Sequence, residues 1–167
     1  LTLDKNLPLT QLNNKFNYKN ADTVFLALPH GISNEFVKLY YDKIQIIDLS
    51  ADFRLDNYKT YLNNYGEKHA APNLLNNFLY GLPEFYKDLL INHKNIAVPG
   101  CYPTSVLIPL LPLLSKKLIK DSNIIIDSKS GYSGAGKKFD IENIKNLVDY
   151  NFFNYNTNSH RHICEIK

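Results

Sequence analysis

Apolar positions along this chain come as short continuous runs separated by stretches of helical periodicity, the pattern of buried strands set between amphipathic helices. Thr23-Val24-Phe25-Leu26-Ala27-Leu28 is one such run, stopped by Pro29-His30-Gly31, and predicts a buried strand ended by a turn. Ser33 stands where a cap would, ahead of a helical segment reaching to about Tyr41. Ile44-Gln45-Ile46-Ile47-Asp48 predicts a second strand. Strand, helix, strand is the rhythm of a parallel sheet with right-handed crossovers, in which ligands sit at the carboxyl ends of strands. Both predicted strands end in polar loops, Pro29-His30-Gly31 and Leu49-Ser50-Ala51-Asp52-Phe53-Arg54.

From Tyr58 to Tyr86 the residues are polar and aromatic with scattered glycine and proline, which predicts an irregular excursion with short helices. Ile96-Ala97-Val98 reads as the end of a buried strand, Pro99-Gly100 as a turn, and Thr104 to Leu118 as a largely apolar helix. Asn123 to Asp127 predicts a further strand, Lys129 to Lys138 a flexible loop, and Asp140 to Tyr150 an amphipathic helix. The fold class is α/β.

At 167 residues and 44% hydrophobic content the chain is long enough for a real core. The longest apolar stretch, Val106 to Leu114, contains Pro109 and Pro112 and falls short of the ~18 to 20 residues of a membrane span. The start, Leu1-Thr2-Leu3-Asp4-Lys5, lacks the basic and apolar regions of a signal peptide. A cytoplasmic protein is expected. Two cysteines outside any CxxC or Cys/His spacing suit a reducing compartment, and a net charge of +3 from scattered lysines gives nucleic-acid binding little support. The chain holds no methionine and begins with leucine, which predicts a fragment of a longer protein. None of its glycines forms a GxGxxG after a first strand, so a dinucleotide fingerprint would stand upstream of Leu1.

Candidate chemistry centres on Val98-Pro99-Gly100-Cys101-Tyr102-Pro103-Thr104-Ser105. This places a lone cysteine on a tight turn between a strand and a helix, where amides and the positive end of the helix dipole face the sulfur. A free thiol ionises near pH ~8.5, and such a setting with nearby cations lowers that value. The alternative is a small buried hydrophobe. Ser130 to Gly136 carries three glycines and two serines, so its amides can approach an anion or cofactor closely; a solvated linker is the other reading, and no Walker spacing is present. His160-Arg161-His162, read as an extended strand, sets two imidazoles on one face and a guanidinium on the other. It is either solvated surface or a proton-transferring base beside an anion-binding arginine. No third ligand accompanies the histidines, so no metal is expected.

Taken together, VFLALPHG from Val24, DLSADFR from Asp48, YGLPE from Tyr80, PGCYPT from Pro99, KSGYSGAGK from Lys129 and the terminal HRH with Glu165-Ile166 resemble the N-acetyl-gamma-glutamyl-phosphate reductase family of the arginine pathway. That family is related to aspartate-semialdehyde dehydrogenase. The resemblance runs from about Thr23 to the C-terminus. It implies part of a Rossmann-like NADP-binding domain, here residues 1–100, followed by the start of an α+β catalytic and dimerisation domain, residues 101–167. It implies that Cys101 attacks an acyl phosphate and that His160 or His162, His160 somewhat preferred, is the acid/base. It also implies that Arg161 or Lys137 binds phosphate or carboxylate, and that Ser130, Gly131, Ser133, Gly134, Ala135 and Gly136 contact the nicotinamide end of NADP. The strand-end rule adds His30 and Ser50 on the cofactor side, whereas Asp52 and Arg54 fix the loop. Cys164 stands where the family pattern has proline or another small residue, and is taken as structural. A homo-oligomer, dimer or tetramer, is implied for the full-length enzyme, which would bind neither nucleic acid nor membrane. Alternatives are a sister reductase of aminoadipyl or aspartyl phosphate, and an inactive truncated fragment that only binds a partner.

Overall fold

The computed structural model describes residues 17–131, 133–134 and 152–167. Four parallel strands form one sheet: β1 (Thr23–Leu26), β2 (Gln45–Asp48), β3 (Leu79–Tyr80) and β4 (Asn95–Ala97), in the order β1-β2-β4-β3. Register pairs Leu26 with Asp48 and Asp48 with Ala97, so the carboxyl ends of three strands lie side by side. The helices are α1 (Ser33–Tyr40), α2 (Tyr58–Tyr65), α3 (Pro83–Ile91), α4 (Cys101–Ser115) and α5 (Ile163–Ile166).

The two parallel strands around a helix arise as the apolar runs predict. Alternation then decides the faces: Ile46, Asp48, Ala97 and Leu26 point into the core, which α1 closes with Phe36, Val37 and Tyr40. The segment between β2 and β4 is the expected irregular excursion with short helices, and it contributes to the same core. Phe53 stacks on Phe78 at 4.1 Å and meets His69 edge-on at 4.8 Å. His69 is locked in one tautomer, its Nδ1 accepting from the Ala71 amide and its Nε2 facing the Asp52 carbonyl at 3.1 Å; burial lowers its pKa, as a neutral ring requires.

Several boundaries differ from the sequence reading. β1 stops at Leu26 rather than Leu28. Ser33 is not the cap but the first residue of α1, after Ile32, which makes no capping bond. The cap comes from far along the chain: the Asp52 carboxylate accepts from the Gly31 amide at 2.8 Å and the Asn34 amide at 3.0 Å. The cysteine helix opens at Cys101 rather than Thr104 and runs past Pro109 and Pro112 to Ser115. Residues 123–127 form no strand: they are exposed, Ile125 at 94%, because none of the described strands lies beside them and an extended segment without a ladder has no reason to be a strand. The helix expected over Asp140 to Tyr150 lies outside the described residues. No helix among the described residues is long and apolar enough to cross a membrane.

Phe53 ties the β2 exit loop to the core. Phe53→Ala should therefore cost about 3–5 kcal/mol, read as a lower urea midpoint with an unchanged slope.

Candidate active site

Two clusters form at the carboxyl edge of the sheet. The first surrounds Cys101. β4 ends at Ala97, and Val98 still donates its amide to the Asp48 carbonyl at 2.8 Å, so the strand is held until Pro99-Gly100 turns it. Gly100 is extended (φ −65°, ψ 157°) and caps α4, leaving Cys101 as the first helical residue with an exposed thiol. That is the place where unpaired amides and the helix dipole favour a negative charge. Glycine is required at 100 by contact rather than by φ, since an added Cβ would lie 2.7 Å from His162 Nε2 and 3.0 Å from Arg54 Nη1.

His160 and His162 are brought together with this turn, but not on a strand. They lie in a turn entering α5, closed by the Ile163 amide donating to the His160 carbonyl at 3.0 Å. The His162 amide also donates to His160 Nδ1 at 3.2 Å, which fixes that nitrogen as an acceptor and leaves the proton of a neutral ring on Nε2. A strand would deny both bonds. The two rings nonetheless remain neighbours, 4.9 Å between centroids, and Tyr102 meets both edge-on at 5.3 and 5.8 Å. His162 is 5% exposed, and burial, followed by the charges of His160, Arg161 and Arg54, lowers its pKa to about 4. Burial and then Arg161 lower His160 as well. Both shifts favour the neutral imidazole. Arg161 is exposed between them.

The carboxylate that fastens the turn is Glu165, to which the sequence reading gave no role. Its side chain is completely buried, accepting from Gly100 N at 3.1 Å, from Tyr80 Oη at 2.8 Å and from Arg54 Nη1 at 3.2 Å. One signal for it was available: a lone acid beside the histidine motif and a lone arginine in the β2 exit loop are complementary charges within matching motifs. Cys164 donates from Sγ to the Arg161 carbonyl at 3.0 Å, and burial is the main cause raising its pKa.

The second cluster holds His30 and Ser50. His30 Nδ1 lies 2.7 Å from Asp52, its Nε2 is 3.3 Å from Tyr61 Oη, and its ring packs on Tyr65 at 4.5 Å. Burial alone would raise the Asp52 carboxyl, but the bonds from His30, Gly31 and Asn34 outweigh it and leave it below the ordinary range. Ser50 is buried, its hydroxyl donating to Asp48 at 2.8 Å and accepting from the Asp52 amide at 3.1 Å. Of the glycine-rich loop, Ser130, Gly131, Ser133 and Gly134 are exposed in a compact turn with the Gly134 amide donating to the Gly131 carbonyl at 3.0 Å. Ala135, Gly136 and Lys137 lie outside the described residues.

Residues 1–93 match the family model described as semialdehyde dehydrogenase, NAD binding domain, and residues 101–167 match semialdehyde dehydrogenase, dimerisation domain. Among similar curated proteins is an N-acetyl-gamma-glutamyl-phosphate reductase of Caldicellulosiruptor saccharolyticus, 50% identical over 89% of this chain and 43% of the relative. A protein of the same name from Ehrlichia canis is 49% identical over 87% of this chain and 42% of its own length. A probable chloroplastic one from Oryza sativa is 45% identical over 90% and 36%. The chain thus spans roughly two-fifths of the length of the curated relatives it matches.

Two outcomes follow from this geometry. Iodoacetamide should alkylate exposed Cys101 well ahead of Cys164, whose thiol burial holds protonated; peptide mass spectrometry showing equal rates would contradict the arrangement. His162 has a folded-state value of about 4 against about 6.5 when unfolded, so the unfolded chain takes up the proton first as pH falls. The stability gained by keeping this ring neutral is complete above pH 6.5 and is lost progressively between about 6.5 and 4. His162→Gln should flatten urea midpoints measured across that window by an amount on the order of 2 kcal/mol.

Proposed function

Because this chain belongs to the semialdehyde dehydrogenase family, we propose that the protein reduces N-acetyl-glutamyl 5-phosphate to the 5-semialdehyde, releasing phosphate, with NADPH as reductant and Cys101 as nucleophile. The observation that carries this reading is a thiol on the first turn of α4 whose preceding glycine is packed against a buried, neutral histidine. The names of the similar curated proteins favour the N-acetyl-glutamyl substrate over other acyl phosphates.

The dinucleotide side is residues 1–100 and the catalytic and dimerisation side residues 101–167, with a homo-oligomer as the working form. The residues present fit the cofactor: His30-Gly31, the Leu49–Arg54 loop and the Cys101 turn all leave one edge of a wholly parallel sheet, the edge at which such sheets take their ligands. His30 and Ser50 stand on that side, and Ser130, Gly131, Ser133, Gly134, Ala135 and Gly136 form the loop for its reactive end. When bound, NADPH supplies the hydride that converts the acyl group to the aldehyde oxidation level.

The protein's own residues do the rest. The Cys101 thiol gives up its proton to solvent at the start of α4, and the sulfur attacks the acyl carbon; the bond to the phosphate oxygen breaks, leaving a thioester on Cys101. His160 is the more exposed of the pair and has a free Nε2–H, so it donates that hydrogen to the reacting oxygen, while His162 stays beneath the turn. Arg161 and Lys137 attract the phosphate or carboxylate of the substrate. Both cysteines are free thiols, which suits work in a reducing compartment such as the cytosol.

Cys101→Ser in the full-length enzyme should lose at least about a hundredfold in phosphate-dependent NADP reduction with the semialdehyde, because an alkoxide is far scarcer than a thiolate near pH 8. NADPH affinity should be unchanged. A serine enzyme keeping more than about a tenth of the rate would overturn the assignment.

A further inference from the structure

Building on the reading of Cys101 as the nucleophile, we propose that Glu165 is a positioning residue that locks the Gly100-Cys101 turn to the histidine segment and so sets the thiol and the imidazoles at working distance.

Three observations carry this. The first is the choice of partner: Glu165 Oε2 takes the amide of Gly100, the residue directly before the nucleophile, at 3.1 Å. This amide precedes the helix and has no partner within α4, so the carboxylate fixes the Pro99–Gly100 peptide unit from which the Cys101 turn departs. The second is covalent proximity. Glu165 lies in α5, whose N-cap is His162, so the bond that holds Gly100 also holds the turn carrying both histidines. The added-Cβ distance of 2.7 Å from Gly100 to His162 Nε2 shows how tightly the two segments close. The third is over-determination. Tyr80 Oη at 2.8 Å and Arg54 Nη1 at 3.2 Å bind the same carboxylate from β3 and from the β2 exit loop, so it cannot follow the turn if the turn moves. Burial first, and the carboxylate next, hold the Tyr80 phenol above its ordinary pKa, which keeps it a donor.

A buried carboxylate that only stabilised the fold would alter the amount of active enzyme and nothing in the kinetics of each molecule. A positioning carboxylate affects the chemical step, since small displacements of reacting groups are expensive in rate while substrate binding is made elsewhere. In the full-length enzyme, Glu165→Gln puts an amide where two carboxylate oxygens received three donors. It should lower kcat per folded active site by about tenfold or more, with KM for the acyl phosphate changed less than about threefold. The rate of Cys101 alkylation by iodoacetamide should change in parallel. Glu165→Asp, which keeps the charge one methylene short, should recover part of kcat. Tyr80→Phe removes a single donor without leaving a charge unpaired, and should fold and lower kcat about two- to fivefold at unchanged KM. If Glu165→Gln fails to fold, the tyrosine variant decides alone. Normal kcat and alkylation in the variants, with Cys101→Ser inactive, would overturn the positioning role and leave the nucleophile standing. An active Cys101→Ser enzyme would instead remove the reading on which it rests.

Discussion

Arg54 holds the candidate site together. Its guanidinium side chain is 8% exposed and donates from three nitrogens to three separate segments: Nη2 to the Leu49 carbonyl at 2.9 Å, Nε to the Val98 carbonyl at 2.7 Å, and Nη1 to Glu165 at 3.2 Å. The first belongs to the exit of β2, the second to the exit of β4 and the third to α5. A planar fork with donors in fixed directions can do this; a lysine ammonium, a point charge on a flexible stem, cannot. Because the cost of a buried cation is offset only when its partners are all in place, the three segments come together as one arrangement. The Cys101 turn inherits its position from that requirement.

The loop from Asp48 to Arg54 shows how few residues are needed for this. The Asp48 carboxylate, buried at the end of β2, takes the Ser50 amide and hydroxyl at 2.9 and 2.8 Å. Ser50 in turn receives the Asp52 amide, Asp52 starts α1 and holds His30, Phe53 enters the core and Arg54 reaches the Cys101 turn. The two aspartates answer opposite environments. Asp48 has its pKa raised, chiefly by burial, because the bonds from Ser50 and Ser33 do not outweigh that burial and Asp52 repels it. Asp52 is lowered because an imidazole and two helix-start amides outweigh the same burial. One short loop thereby connects His30 to the Cys101 turn through a continuous run of bonds.

What could be read in the sequence follows how local its causes were. β1, β2 and β4 coincide with apolar runs because both faces of a parallel strand are candidates for burial. The Cys101 turn was legible because Pro99-Gly100 between a strand and a helical stretch is a local signal. The cap of α1 was not, since the acceptor is Asp52, 18 residues beyond the amide it satisfies, and Ser33 merely stands in the usual place. Ile124-Ile125-Ile126 has strand composition, but a strand is defined by the neighbour it pairs with, and none of the described strands supplies one. His160-Arg161-His162 was legible in its chemistry and misread in its backbone: two imidazoles two residues apart meet equally well in a turn whose bonds run through His160 itself. Glu165 lies 65 residues from the amide it accepts, and neither periodicity nor composition marks such a pairing.

The charges around His162 also divide the labour of the two arginines. Both lower the histidine's pKa, after burial and His160, and so favour its neutral form. Arg54 is paired with a wholly buried Glu165 and donates two further bonds to carbonyls, so its side chain is committed to holding the turn. Arg161 is exposed and makes no ion pair among the described residues. The guanidinium beside the histidines that makes no ion pair among the described residues is therefore Arg161, because Glu165, the acid of the turn, is committed to Arg54. An arginine at both positions is thus not redundancy: one holds the turn together, and the other faces solvent.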